Sequence, residues 1–160
     1  MRLAFLIAVL VALAVPVAFA ATAPAGSLSV EDGRGSAVIK GRGIVIGHLD
    51  RGEMQIVDLS PLDQWSPRVN GVPRGKTVWT RGKDINFYVP GGRYRVTVRG
   101  DGFSISARGQ GTATFDGVAD AAGATGTYAV GDSEPAPLPL EPLQLEFGPA
   151  TTPVKNPGKP

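Results

Sequence analysis

Cysteine is absent from this 160-residue chain, and histidine occurs once, as His48. Without cysteine no disulfide can staple the fold, and a bacterial lipid anchor on cysteine is excluded. One histidine and no thiol leave zinc and copper almost without ligands, so no cofactor is expected. Helix-compatible sequence is also scarce. The chain carries 22 Gly and 14 Pro, and this composition argues against helices through most of its length. Eight of the prolines lie at or beyond Pro135, and residues 148–160 read GPATTPVKNPGKP with Val154 as the one large apolar side chain. A disordered, proline-rich tail is expected there. Positive charge is missing from Gly109 to Glu146, which holds six Asp/Glu and no Lys or Arg, whereas residues 34–108 hold 13 Lys/Arg against six Asp/Glu. Net charge is only +2. The asymmetry can mark a polyanion partner; it is also what oppositely charged neighbouring strands of one domain would show.

The N-terminus carries a long apolar run. Arg2 precedes unbroken apolar sequence from Leu3 to Val15, Pro16 stops it, and Ala18-Phe19-Ala20 places small residues where a signal peptidase reads. Residues 1–20 are therefore expected to be a secretory signal peptide, with a secreted or cell-envelope destination. An uncleaved anchor is the alternative, since Leu3 to Ala21 is nearly long enough to span a bilayer, and membrane contact is expected only in that case. Residues 21–26 would be a short linker. The remainder suffices for one domain.

Period-two alternation recurs through that domain. Tyr94, Val96 and Val98 alternate with Arg93, Arg95, Thr97 and Arg99; Phe103, Ile105 and Ala107 alternate with Ser104, Ser106 and Arg108. Such runs give strands with one buried and one wet face, hence antiparallel sheets. Eleven short strands are expected between residues 27 and 147, with Gly91-Gly92 and Gly100-Asp101-Gly102 as turns. The fold class is all-β: a single antiparallel β-sandwich over 27–147, with a flattened β-barrel as alternative. A weak repeat relates Leu28-Ser-Val30…Gly33-Arg-Gly35…Gly41-Arg-Gly43 to Val96-Thr-Val98…Gly100-Asp-Gly102…Gly109-Gln-Gly111. It suggests an internal duplication, and its second Gly-x-Gly steps are either turns or bulges.

These repeated steps, the segment VPGGRYRVTVRG (89–100), the N-terminal signal and the excess of Arg over Lys together resemble uncharacterised small secreted β proteins of high-GC actinobacteria. The resemblance covers about residues 27–117. It implies a β-sandwich and carries no activity, so no site residue follows from it.

Chemistry is sparse. His48 with Asp50 lacks any Gly-x-Ser-x-Gly elbow to supply a nucleophile. Asp58 and Asp63 flank Leu-Ser-Pro-Leu and fit an Asx turn better than a calcium loop. Arg99-Gly100-Asp101 matches an adhesion tripeptide, but turn chemistry explains it. Trp79 reads as core. The functional candidates are Arg93, Arg95 and Arg99 on one strand face, Arg108 on the next strand, and Trp65 in the 60–75 loop. They suit a non-enzymatic envelope or extracellular module binding a glycan, an anionic polymer or a protein. No nucleic acid is expected. A purely structural secreted domain is the first alternative, and a hydrolase with carboxylates not yet located is the second.

Overall fold

The computed structural model describes residues 26–60 and 62–149. The expected signal peptide, residues 21–25 of the expected linker and residues 150–160 of the expected tail lie outside the described residues. The described chain is all-β and antiparallel: β1 (Gly26–Asp58), β2 (Arg68–Val69), β3 (Thr77–Val89), β4 (Arg93–Gly117), β5 (Thr127–Val130), β6 (Ala136–Pro137) and β7 (Leu143–Phe147). Ladder order runs β2-β3-β1-β4-β7, with β5 on the other edge of β1, and it does not close into a barrel.

Two very long strands make the sandwich. Residues 35–42 of β1 pair with β4 on both edges, with 93–100 on one side and 110–117 on the other. Residues 94–101 and 105–109 of β4 likewise have β1 on both sides. Each long strand must therefore bend out of one layer into the other. The first layer orders as 127–130, 26–33, 103–109, 44–51 and 83–89. The second orders as 143–147, 110–117, 35–42, 93–100, 52–58 and 77–82. Both layers turn alternate residues inward, and one core results. Val30, Leu49, Phe103 and Ile105 come from the first layer, and Ile39, Met54, Val96 and Phe115 from the second.

The bends are glycine contacts. Gly43 and Gly109 face each other across the β1–β4 ladder at φ 138° and 142°. A Cβ on Gly43 would enter the Arg108 carbonyl, and one on Gly109 would enter the Arg42 carbonyl. Only glycine lets the two backbones pass this closely. The Gly-x-Gly steps at 41–43 and 109–111 are thus neither hairpin turns nor strand ends. They lie inside continuous strands, and with the chain also extended through 33–35, 50–52 and 100–102, seven of the expected strands merge into β1 and β4. Gly100-Asp101-Gly102 is likewise inside β4, where Gly100 pairs with Gly35 on one edge and Gly52 on the other. Arg99-Gly100-Asp101 is therefore not displayed on a turn. Gly91-Gly92 is not the hairpin turn expected either: β3 and β4 both pair with β1 and not with each other, so Pro90-Gly91-Gly92 is a three-residue link that carries the chain from the first layer to the second. β1 begins at Gly26, the last residue expected in the linker.

One core atom lacks a partner. Tyr94 is 1% exposed, and its hydroxyl has no hydrogen-bond partner among the described residues. Burial pushes its pKa up to about 12. An unpaired buried hydroxyl costs about 1–3 kcal/mol, so removing it relieves more than it loses. Tyr94→Phe is expected to stabilise the domain by about 1 kcal/mol, read as a higher urea midpoint at unchanged slope. A lower midpoint would mean that the hydroxyl is bonded in solution.

Candidate functional site

The outward face of the second layer carries the charge. Arg93, Arg95, Thr97 and Arg99 point outward from β4, while Tyr94, Val96 and Val98 fill the core. Register then decides what stands beside them. Arg42 is directly opposite Arg93, and Lys40 is directly opposite Arg95. Two like-charge pairs thus sit side by side on adjacent strands. Like charges directly opposite destabilise a sheet. No ion pair involves any of these four among the described residues. The pairs that do form are Arg34–Asp120 (3.7 Å), Arg51–Asp101 (3.4 Å), Arg81–Glu53 (2.8 Å), Lys76 with Asp58 and Asp63, and His48 with Asp50 and Asp84. Only Arg34–Asp120 links the basic segment with the acidic one. Internal complementation of strands does not use up the charge asymmetry.

Arg99 differs from its neighbours. It lies opposite Glu53, which Arg81 already holds. Arg108 stands apart from the stripe: its ladder partners are Ser27 and Ile44, in the first layer. The structure therefore brings Arg93 and Arg95 together with Lys40 and Arg42, and leaves Arg108 outside the group.

A cleft of about 830 Å³ opens at this end of the face. Lys40, Arg42 and Arg93 line one half, Gln110 and Thr112 the middle, and Glu146 of β7 the far side. Apolar floor comes from Leu59 and Phe147. Glu146 pairs in register with Thr112, and Thr112 with Lys40. The polar groups therefore follow one another from cation through neutral hydroxyl and amide to carboxylate.

Trp79 lies on the same face, 59% exposed, in the row Trp79–Gln55–Thr97–Val38. It is not core. Val78 takes the inward position, so strand geometry turns Trp79 out. Three strand spacings separate Trp79 from the strand of Lys40, about 14 Å.

Trp65, 55% exposed, is held at the same end of the domain. Lys76 staples its loop: Nζ donates to Asp58 Oδ2 (2.9 Å), to the Asp63 carbonyl (2.9 Å) and to the Trp65 carbonyl (2.8 Å). The hydrogen bond to Asp58, then that to Asp63, holds Lys76 above the usual lysine range. Asp58 also accepts the Ser60 amide and Asp63 the Trp65 amide, as Asx turns do. The cation between the two carboxylates is thus the lysine ammonium. Trp65 Cδ1 lies 3.9 Å from where a Cβ on Gly91 would be, beside the link that leads into Arg93.

His48 is not arranged as a base. Nδ1 faces Asn86 Oδ1 at 3.0 Å and Nε2 faces Asp50 Oδ1 at 2.9 Å. Both acceptors favour the imidazolium, and the Asn86 bond, then the Asp50 bond, raises its pKa. Ser104 is its ladder partner, but neither ring nitrogen is left to take a serine proton. Among the described residues no group of three His, Cys, Asp or Glu is placed to hold a metal ion.

Sequence reasoning missed Lys40, Arg42 and Glu146. A strand through Val38-Ile39-Lys40-Gly41-Arg42 puts Lys40 and Arg42 on one face, a signal that could have found the first two. Nothing in it said that they would face Arg95 and Arg93.

No protein-family model, no curated protein and no solved structure matches the chain.

Proposed function

We propose that this chain is an exported binding module, without catalytic activity, whose second-layer face takes an extended anionic glycan polymer of the cell envelope. The observation that carries the reading is the opposed pairs Arg42/Arg93 and Lys40/Arg95. Four cations placed together without counter-charges raise the energy of the free domain, and a bound anion removes that cost. Export rests on the expected signal peptide at residues 1–20. The ligand is polymeric because the cleft and Trp79, an apolar platform on the edge strand of the same layer, are too far apart for one small molecule.

The test is binding of the full-length chain to an oligouronate at two ionic strengths. Affinity should be highest at low salt and fall steeply toward physiological ionic strength, where screening shortens to about 8 Å. Arg93→Ser/Arg95→Ser should weaken binding about tenfold or more, because two charge-assisted contacts are lost. Stability should change by no more than about 0.5 kcal/mol, as for other solvent-facing substitutions. No binding at low salt, or equal binding by the double variant, would overturn the reading.

A further inference from the structure

The cleft is not uniformly cationic, and this sets what can sit in it. Arg93, Arg42 and Lys40 occupy two neighbouring strands, β4 and β1. Gln110 and Thr112 come one strand further across, on the far end of β4, and Glu146 one strand beyond them, on β7. Lys40 and Glu146 are therefore two strand spacings apart, about 10 Å. Glu146 is exposed and makes no ion pair among the described residues. A bare polyanion laid across this cleft would gain contacts over β1 and be repelled over β7. A carboxylate is instead a strong acceptor for hydroxyl donors, and Thr112 and Gln110 beside it can both donate and accept.

Resting on the proposed glycan-binding role, we infer that the cleft is a selectivity subsite. It takes one hydroxylated unit bearing a single anionic group, with the anion against Lys40, Arg42 and Arg93 and the hydroxyls against Thr112 and Glu146. Arg42 and Arg93 supply guanidinium forks that match a carboxylate or a phosphate equally. The strands of Lys40 and Glu146 are about 10 Å apart, and a contact of about 2.8 Å at each end leaves room for one unit carrying both an anion and hydroxyl donors, as in a uronic acid or a polyol phosphate. Glu146 acts as the discriminating element: it attracts hydroxyls and rejects continuous negative charge.

The experiment uses the full-length chain and Glu146→Gln, each titrated with three probes of equal charge number: an oligoglucuronate, a glycerol-phosphate oligomer and linear polyphosphate. The wild-type chain should prefer a hydroxylated probe over polyphosphate, and the better of the two hydroxylated probes identifies the anion as carboxylate or phosphate. Glu146→Gln should weaken that probe about three- to tenfold and tighten polyphosphate about threefold, since a charged acceptor and a repulsion are removed together. The substitution is exposed and breaks no observed bond, so folding is not at risk. If Glu146→Gln leaves the ratio of affinities unchanged, the subsite is refuted while the cationic face stands. If none of the probes binds at low salt, the cationic face itself is refuted, and the subsite with it.

Discussion

Gly43→Val is expected to destabilise the domain by about 3–5 kcal/mol, combining a strained positive φ with overpacking against backbone. Gly43 holds φ 138°, and its added Cβ would enter the Arg108 carbonyl. That carbonyl cannot step aside. It belongs to β4 at the point where the two long strands cross between layers, and Gly109 opposite is under the mirror constraint from Arg42. With total stabilities of about 5–15 kcal/mol for domains of this kind, a large part of the margin would go. Gly82→Val is the control. Gly82 lies in β3, its φ is unexceptional, and a Cβ there meets nothing within 4 Å. Its cost should stay within about 0.5 kcal/mol. Urea unfolding of the two variants side by side measures both. Equal midpoints would show that the crossing is soft and that the strands can splay. The site would feel a real loss too, because Arg42 and Gln110 flank the crossing and line the cleft.

Fold class was legible because it depends on local pattern. The alternation of Tyr94, Val96 and Val98 with Arg93, Arg95 and Thr97 states which side chains are wet, whatever the neighbours are. The repeated glycine pattern was visible as well, and Gly43 and Gly109, from the second steps of its two copies, are the pair that meet in the structure. Its meaning was not. The chain alone left the second Gly-x-Gly steps as hairpin turns or as bulges bending one long strand, since glycine permits both locally. Here the glycines answer a non-local demand: another backbone passes within contact distance. Trp79 was misread for a related reason. Val78 and Trp79 are both apolar, so alternation alone did not say which of the two faces the core.

The candidate site was half legible. Arg93, Arg95 and Arg99 share a face by periodicity, as the strand shows. Their partners Lys40 and Arg42 lie more than fifty positions away, and the register that opposes them is a tertiary fact. The same holds for Glu146, whose place beside Thr112 depends on β7 returning to the edge of β4. Arg108 shows the converse. It follows Arg99 by only nine residues, yet the bend at Gly100–Gly102 carries it into the other layer.

A second large effect is expected at Phe103, and it couples to a glycine. Phe103 is fully buried and lies directly opposite Gly33, in the stretch of β1 where the register with β4 shifts. Its ring covers the bare Gly33 backbone, and a Cβ on Gly33 would strike it. Gly47 under Phe87 repeats the arrangement two strands away. An aromatic ring laid over a cross-strand glycine supplies the packing that the glycine lacks. Phe103→Ala should therefore cost about 3–5 kcal/mol, the usual range for an emptied aromatic site. Gly33→Ala alone should cost about 1–3 kcal/mol, because the ring has nowhere to go. Gly33 does not need a positive φ, so the alanine itself is conformationally acceptable. In the double variant the new methyl enters space that the ring has vacated. The sum should then fall short of additivity by about 1–2 kcal/mol, within the range seen for residues in contact. Urea midpoints of the two single variants and the double close the cycle. Additivity to within about 0.5 kcal/mol would show that ring and glycine act independently, and that the register shift at 31–33 is held by something other than this contact.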